Sequence, residues 1–317
     1  MRGVAAAAMF SLALASSIGS INGSAHAQAP ASTEVEDGVE VRSFIWARPA
    51  DLELHATLYR PKDAPGPLPA LVDIHGGAWG AGDRNADHYY CVELAKSGLA
   101  VFSIDFRQSP AFKHPASSAD VTAAVRYVRL NAKALHADPN RIGLIGSSSG
   151  AHLALLAALR PDAPQHLGTP IAGPDGVVAP HDDILADVDY VVAMWPVSDP
   201  AARYRYAKRA GIDRLVELTE RYFPDAAAMW DASIQRIVTS GEAGLLPPIL
   251  IIQPGDDSNI PQDMTLDLIR AWQARGGRLD YAFYPGQPHA FGHRPSAATS
   301  DLIRTVADYI RRQNAPD

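Results

Sequence analysis

Two kinds of hydrophobic pattern alternate along this chain. Short, largely apolar runs stand at residues 68–74, 99–105, 141–145, 190–195, 248–252 and 279–284. Between them lie longer segments, at about 87–97, 118–135, 151–159, 262–275 and 297–312, with helix-forming composition and apolar residues every three or four positions. The short runs predict parallel strands buried on both faces, and the longer segments predict the helices that cover them. Two runs precede this rhythm, at 39–47 and 52–59, and the second alternates apolar and polar residues as a half-exposed antiparallel strand does. An antiparallel start followed by repeated βα units makes an α/β fold: one mostly parallel, doubly wound sheet with flanking helices.

Two stretches break the rhythm. Residues 161–187 are rich in Pro, Gly, Ala and Asp and predict a long surface loop. Residues 199–246 have helical periodicity and carry Tyr204, Tyr206, Tyr222, Phe223 and Trp230, and they fall between two predicted strands. That placement predicts a small helical cap over the carboxyl ends of the sheet. Tyr222 and Trp230, with Trp79 and Trp195 from the body, are candidates either for lining a substrate pocket or for packing the cap onto the sheet.

Composition narrows the class. Residues 1–27 hold one positive charge at Arg2, an apolar run to about Ile18 and the triplet Ala25-His26-Ala27, the pattern of a cleaved secretory signal. The expectation is export, periplasmic or secreted, with 28–38 as a flexible leader and 39–317 as the folded domain. Removing residues 1–27 leaves 290 residues and takes away only Arg2, moving the formal charge from −7 to −8. Mild acidity without a basic block argues against a nucleic-acid partner, and no later stretch reaches the ~20 apolar residues of a membrane span. Cys91 is the single cysteine and cannot form an internal disulfide; it reads as a small buried residue of the helix at 87–97.

The chemistry centres on Gly146-Ser147-Ser148-Ser149-Gly150, set between the run at 141–145 and the helix at 151–159. A glycine on each side lets the chain reverse sharply and lift the Ser148 hydroxyl out of the sheet as a nucleophile. A serine hydroxyl is weak at neutral pH, so acyl transfer needs a base, an acid to orient the base, and donors for the oxyanion. His75-Gly76-Gly77-Ala78-Trp79 follows a strand, and the backbone N–H groups of Gly76 and Gly77, with that of Ser149, are candidate oxyanion donors. Asp256 and Asp257 follow the next-to-last strand, and either could orient a histidine or cap the next helix. His289 follows the last strand and is the candidate base, with His293 as the alternative. His152, one turn after Ser148, reads as structural. Asp105 and Arg107 read as residues that pair or hydrogen-bond near the oxyanion loop and hold it. No His/Asp cluster has metal-ligand spacing, and His181-Asp182-Asp183 reads as solvated loop.

Together these residues resemble the α/β-hydrolase superfamily, within it the esterase/lipase branch that includes hormone-sensitive-lipase-like and feruloyl-esterase-like carboxylesterases. The resemblance rests on His75-Gly76-Gly77, Asp105-Phe106-Arg107, Asp138-Pro139-Asn140-Arg141-Ile142, the elbow, and the loops with Asp257 and His289. It implies an α/β-hydrolase fold and a Ser148–His289–Asp257 triad, with Asp257 favoured by its spacing to Ile260-Pro261. It further implies hydrolysis of a small or aryl/acyl ester without cofactor or metal. Two positions depart from the pattern: Ala78 stands where many relatives have a third glycine, and Ser147-Ser148-Ser149 stands where hormone-sensitive-lipase-like members have Asp-Ser-Ala. The same triad could cut amides, so a peptidase or amidase is the rival enzyme, and a binding protein on a retired hydrolase fold is the rival outside enzymology.

Overall fold

The computed structural model describes residues 32–315. The expected signal segment, 1–27, and residues 28–31 of the leader lie outside these. The strands are β1 (Ser32–Glu36), β2 (Val39–Ala47), β3 (Leu54–Pro61), β4 (Leu68–Ile74), β5 (Ala100–Ile104), β6 (Ala137–Ser147), β7 (Ile171–Ala172), β8 (Val178–Ala179), β9 (Tyr190–Met194), β10 (Ile249–Asp256) and β11 (Leu279–Pro288). The helices are α1 (His88–Lys96), α2 (Ala116–Leu130), α3 (Ala132–Leu135), α4 (Ser149–Leu159), α5 (Pro200–Ala210), α6 (Asp213–Tyr222), α7 (Ala226–Asp231), α8 (Ile234–Ser240), α9 (Gln262–Ala274) and α10 (Ala297–Gln313).

One sheet runs β11-β10-β9-β6-β4-β5-β3-β2-β7-β8, with β1 paired to β2. The strands from β11 to β5 are parallel, and those from β3 outward are antiparallel. From β4 the chain steps to β5 on one side and returns to β6 on the other. The winding therefore reverses between β4 and β6, and the loops leaving their carboxyl ends open a crevice there.

Each central strand is apolar throughout because its two faces feed two cores. Val191 and Ala193 of β9 and Ile249 and Ile251 of β10 join one core, under α2, α4, α8 and α9. Tyr190, Val192, Met194, Leu250 and Ile252 join the other, under α1 and α10. Every residue of α4 is buried, and Cys91 is buried in α1.

Four differences from the sequence-based expectation have local causes. Residues 32–36, expected as leader, pair antiparallel with β2 through a two-residue turn in which Asp37 and Gly38 both have positive φ (49° and 81°), the Asp-Gly hairpin signature. The helix expected over 118–135 is split at Asn131, whose side-chain amide donates to the Tyr127 and Ala172 carbonyls. The loop at 161–187 contributes β7 and β8, which extend the sheet beyond β2. Strand β6 begins four residues earlier than expected, because Ala137 pairs with Leu68 before an irregularity in the ladder. Residues 200–240 fold into α5–α8, and no helix among the described residues is long and apolar enough to cross a membrane.

Candidate active site

Loops leaving β4, β6, β10 and β11 meet at the carboxyl edge of the sheet. Ser148 sits between β6 and α4 with φ 55° and ψ −116°, a conformation that L side chains adopt at a cost of about 1–3 kcal/mol and that recurs where geometry is functional. Its N–H donates to the Met194 carbonyl (2.9 Å), and its carbonyl accepts from the Val197 N–H (3.3 Å), which fixes the turn to the end of β9. The flanking glycines are required sterically. A Cβ on Gly146 would lie 2.6 Å from the Gly150 backbone, and one on Gly150 would lie 2.0 Å from the Ile74 carbonyl oxygen.

His289 follows β11 directly, and Ala290 at φ 64° turns the chain away behind it. The His289 Nε2 lies 3.1 Å from Ser148 Oγ, and its Nδ1 lies 2.8 Å from Asp257 Oδ2. The other Asp257 oxygen accepts the N–H groups of Asn259 (2.8 Å) and Ile260 (2.9 Å). In the tautomer that satisfies both contacts, the Nδ1 facing Asp257 carries the imidazole proton and Nε2 accepts from the serine hydroxyl. The side chain of Asp257 is fully buried, whereas Asp256 is exposed. His293, the alternative base, instead places its Nδ1 3.2 Å from Asp87 Oδ1 behind Trp195.

The glycine loop after β4 lies against the elbow. A Cβ on Gly76 would sit 3.5 Å from Ser148 Cβ, and Gly77 has φ 114° with its Cβ direction blocked by the Ala81 carbonyl at 2.0 Å. A side chain at Gly77 is blocked outright and one at Gly76 would press on the Ser147 Oγ and carbonyl at 3.0 and 3.1 Å, and among the described residues the N–H groups of Gly76 and Gly77 donate to no acceptor. Ser149 opens α4, so its N–H has no partner within the helix. Its hydroxyl has a separate task that the sequence reading missed: Ser149 Oγ accepts the Trp79 N–H (3.2 Å) and so ties the glycine loop to the elbow. Three consecutive serines were the signal, but only the Ser148 hydroxyl was given a role.

The pocket candidates divide. Trp79, Trp195 and Tyr222 are 0% exposed, so they back the site without an open face toward substrate. Trp79 stacks on Tyr222 (5.0 Å between centroids, 5° between planes), and Trp195 packs between His289 and His293. Trp230 stands 55% exposed on α7. A cleft of about 730 Å³ opens at the far end of α4, lined by Arg160, Asp162, Arg236 and Glu242, and none of Ser148, Asp257 and His289 borders it.

His152 is structural, as its place on the helix suggested. Its Nδ1 accepts from Trp79 Nε1 (3.2 Å), its Nε2 donates to the Ala232 carbonyl (2.9 Å), and burial holds its pKa down at about 3. Asp105 and Arg107 do not pair with each other, which corrects the first of the two sequence expectations for them. Asp105 takes the backbone and guanidinium N–H groups of Arg84, and Arg107 is claimed by the buried Asp120 of α2 at 2.6 Å. Among the described residues no cluster of His, Cys, Asp or Glu could hold a metal.

The sheet order, the strained serine turn at the winding reversal and the two late loops define the class: an α/β-hydrolase of the esterase/lipase branch. The BD-FAE family model matches residues 57–271, and the chain belongs to that family. It is 28% identical over 258 residues, 80% of this chain and 61% of the relative, to "Esterase LipC" of Mycobacterium tuberculosis. It is 26% identical over 243 residues, 73% of this chain and 52% of the relative, to "Isoprenylcysteine alpha-carbonyl methylesterase ICME" of Arabidopsis thaliana. The chain thus spans little more than half the length of these curated relatives. In fold it is similar to a hyperthermophilic esterase from the archaeon Pyrobaculum calidifontis, with a TM-score of 0.70, 24% identity and 89% and 88% of the two chains covered.

Proposed function

We propose that this protein is a serine carboxylic-ester hydrolase working through an acyl-enzyme. Ser148 attacks the ester carbonyl while His289 takes its proton, Asp257 holds the imidazole and stabilises its charged form, and the N–H groups of Gly76, Gly77 and Ser149 receive the oxyanion. The alcohol leaves with the proton from His289. Water then repeats the sequence on the acyl-serine and releases the acid. The observation that carries this reading is the unbroken hydrogen-bond chain from Ser148 Oγ through His289 to Asp257, at 3.1 and 2.8 Å. The names of the two curated relatives, an esterase and a methylesterase, support the same class.

Hydrolysis of a short-chain nitrophenyl ester tests it. S148A is expected to lower kcat by at least about 10⁴-fold while the fold is kept, leaving only what the oxyanion donors contribute. Normal turnover by S148A, or failure of a fluorophosphonate to label Ser148 in the native protein, contradicts the assignment. Matched ester and anilide substrates are expected to favour the ester, and the reverse preference assigns the site to an amidase.

A further inference from the structure

Asp87 occupies the N-cap position of α1, where an aspartate ordinarily accepts N–H groups of the first turn. Its side chain makes no such bond. It is fully buried instead against His293, whose Nδ1 stands 3.2 Å from Asp87 Oδ1. Enclosing a carboxyl while forgoing the cap costs stability on two counts, and what is gained is a fixed place for His293.

A second carboxyl decides the charge on this contact. Asp73 of β4, also buried, takes the hydroxyls of Tyr90 and Ser103, each at 2.6 Å, and the Cys91 thiol at 3.5 Å. Among the described residues neither oxygen of Asp87 has a hydrogen-bond donor. Two carboxylates that feel each other inside a protein do not both ionise cheaply, so Asp73, with three donors, keeps the charge and Asp87 keeps a proton. Burial acts in the same sense on both members of the contact, raising the pKa of Asp87 and lowering that of His293. A neutral carboxyl therefore donates to a neutral imidazole at Nδ1.

This contact fixes one end of the loop that carries His289. After His289 the chain turns at Ala290 (φ 64°), makes one turn of 3₁₀ helix over Phe291–His293 and closes it with the His293 N–H on the Ala290 carbonyl at 3.2 Å. The middle of the turn rests on Trp195, since a Cβ on Gly292 would lie 3.0 Å from Trp195 Cη2. Trp195 is enclosed, has φ 40°, and stands between two imidazoles, its ring centroid 6.2 Å from that of His289 and 5.9 Å from that of His293. From α10 the Thr299 hydroxyl lies 3.1 and 2.6 Å from the Phe291 and Arg294 carbonyls. The loop is thus held from α10 by Thr299 and from the start of α1 by Asp87.

We propose that His293, docked on Asp87, is a positioning residue for the base: it presses the loop onto Trp195 and so keeps His289 Nε2 at the Ser148 hydroxyl. This rests on the esterase reading above and adds to it the means by which the base is held.

Kinetics on a short-chain nitrophenyl ester test the proposal, with the low-field proton resonance of the His289–Asp257 hydrogen bond as a spectroscopic readout. H293L and D87A are each expected to lower kcat about tenfold to a hundredfold, the range in which a misplacement of about 1 Å falls. KM should stay within about threefold, and the resonance should broaden or vanish. The double variant should lose no more than either single one, because the two residues act as a unit. D87N keeps a donor toward His293 Nδ1 and should recover most of the loss. Should H293L fail to fold, D87A decides by the same measures, since its side chain supplies no cap to α1. A kcat within about twofold of the native value in H293L or D87A overturns the proposal. So does a loss of kcat with the resonance unchanged, the behaviour of a contact that only stabilises the fold, and so does D87N no more active than D87A. In each case native turnover that S148A abolishes leaves the esterase reading standing. A native protein that neither turns over the ester nor takes up a fluorophosphonate sinks that reading and this proposal with it.

Discussion

Single side chains separate the proposed catalytic roles from support at this site. Adjacent aspartates make the sharpest case, because Asp257 is enclosed between His289 and two backbone N–H groups while Asp256 faces water. In the proposed mechanism D257N removes the charge that selects the productive tautomer, so kcat on a nitrophenyl ester is expected to fall by about 10³–10⁴-fold. D256N, measured in the same assay, should stay within about twofold of the native protein. His152 gives a second residue-scale test, in stability. Its pKa is about 3 in the folded protein against 6.5 for an unburied histidine. The folded state therefore resists a proton that the unfolded state accepts, and this stability is complete above pH 6.5 and lost as pH falls toward 3. At pH 5 the loss from this one group is about 2 kcal/mol. Glutamine can keep both hydrogen bonds without titrating. The stability of H152Q relative to the native protein is thus expected to rise by about 2 kcal/mol between pH 8 and pH 5, read by urea unfolding at each pH.

At the scale of elements, the elbow is a packing solution as much as a chemical one. Helix α4 starts directly at Ser149 and lies against β4, so a Cβ on Gly150 meets the Ile74 carbonyl at 2.0 Å, whereas one on Gly66 meets nothing within 4 Å. G150A should destabilise the protein by at least about 3 kcal/mol, seen as a large drop in the thermal midpoint, and G66A should leave that midpoint nearly unchanged. Elements were legible where they announced themselves by period. The parallel strands β4, β5, β9 and β10 and the helices α1, α4, α9 and α10 fall within a few residues of the expected ranges. Elements made by pairing were less legible. Val178–Ala179 and Ile171–Ala172 are two residues each and carry no periodicity, so only their pairing with each other and that of Ile171 with β2 make them strands. Strand β1 did carry a signal, the Asp37-Gly38 turn, which the acidic composition around it masked.

For the whole molecule, buried charge pairs decide how the layers are joined. Asp120 of α2 is fully enclosed and takes the backbone, Nε and Nη2 of Arg107, together with the Thr169 hydroxyl from the segment leading to β7. It thereby ties the end of β5, one covering helix and the outer hairpin to one another. D120N breaks a buried pair and leaves Arg107 unmatched, at an expected cost of about 3–5 kcal/mol in unfolding free energy by denaturant titration. The sequence suggested Asp105 as the partner of Arg107, since proximity in the chain was the only information to hand. In the fold Asp105 meets Arg84 and Arg107 meets Asp120.

The sequence by itself determined the alternation of strands and helices, the reversal at Ser148 and the residue types at the ends of β4, β10 and β11, because period, glycine spacing and strand-end chemistry are local properties. Tertiary structure alone decided which aspartate reaches His289, that His293 turns to Asp87, and that Trp79, Trp195 and Tyr222 are enclosed. Each of those outcomes depends on which side chains from distant segments share a solvent-free space, and a linear pattern does not contain that distance.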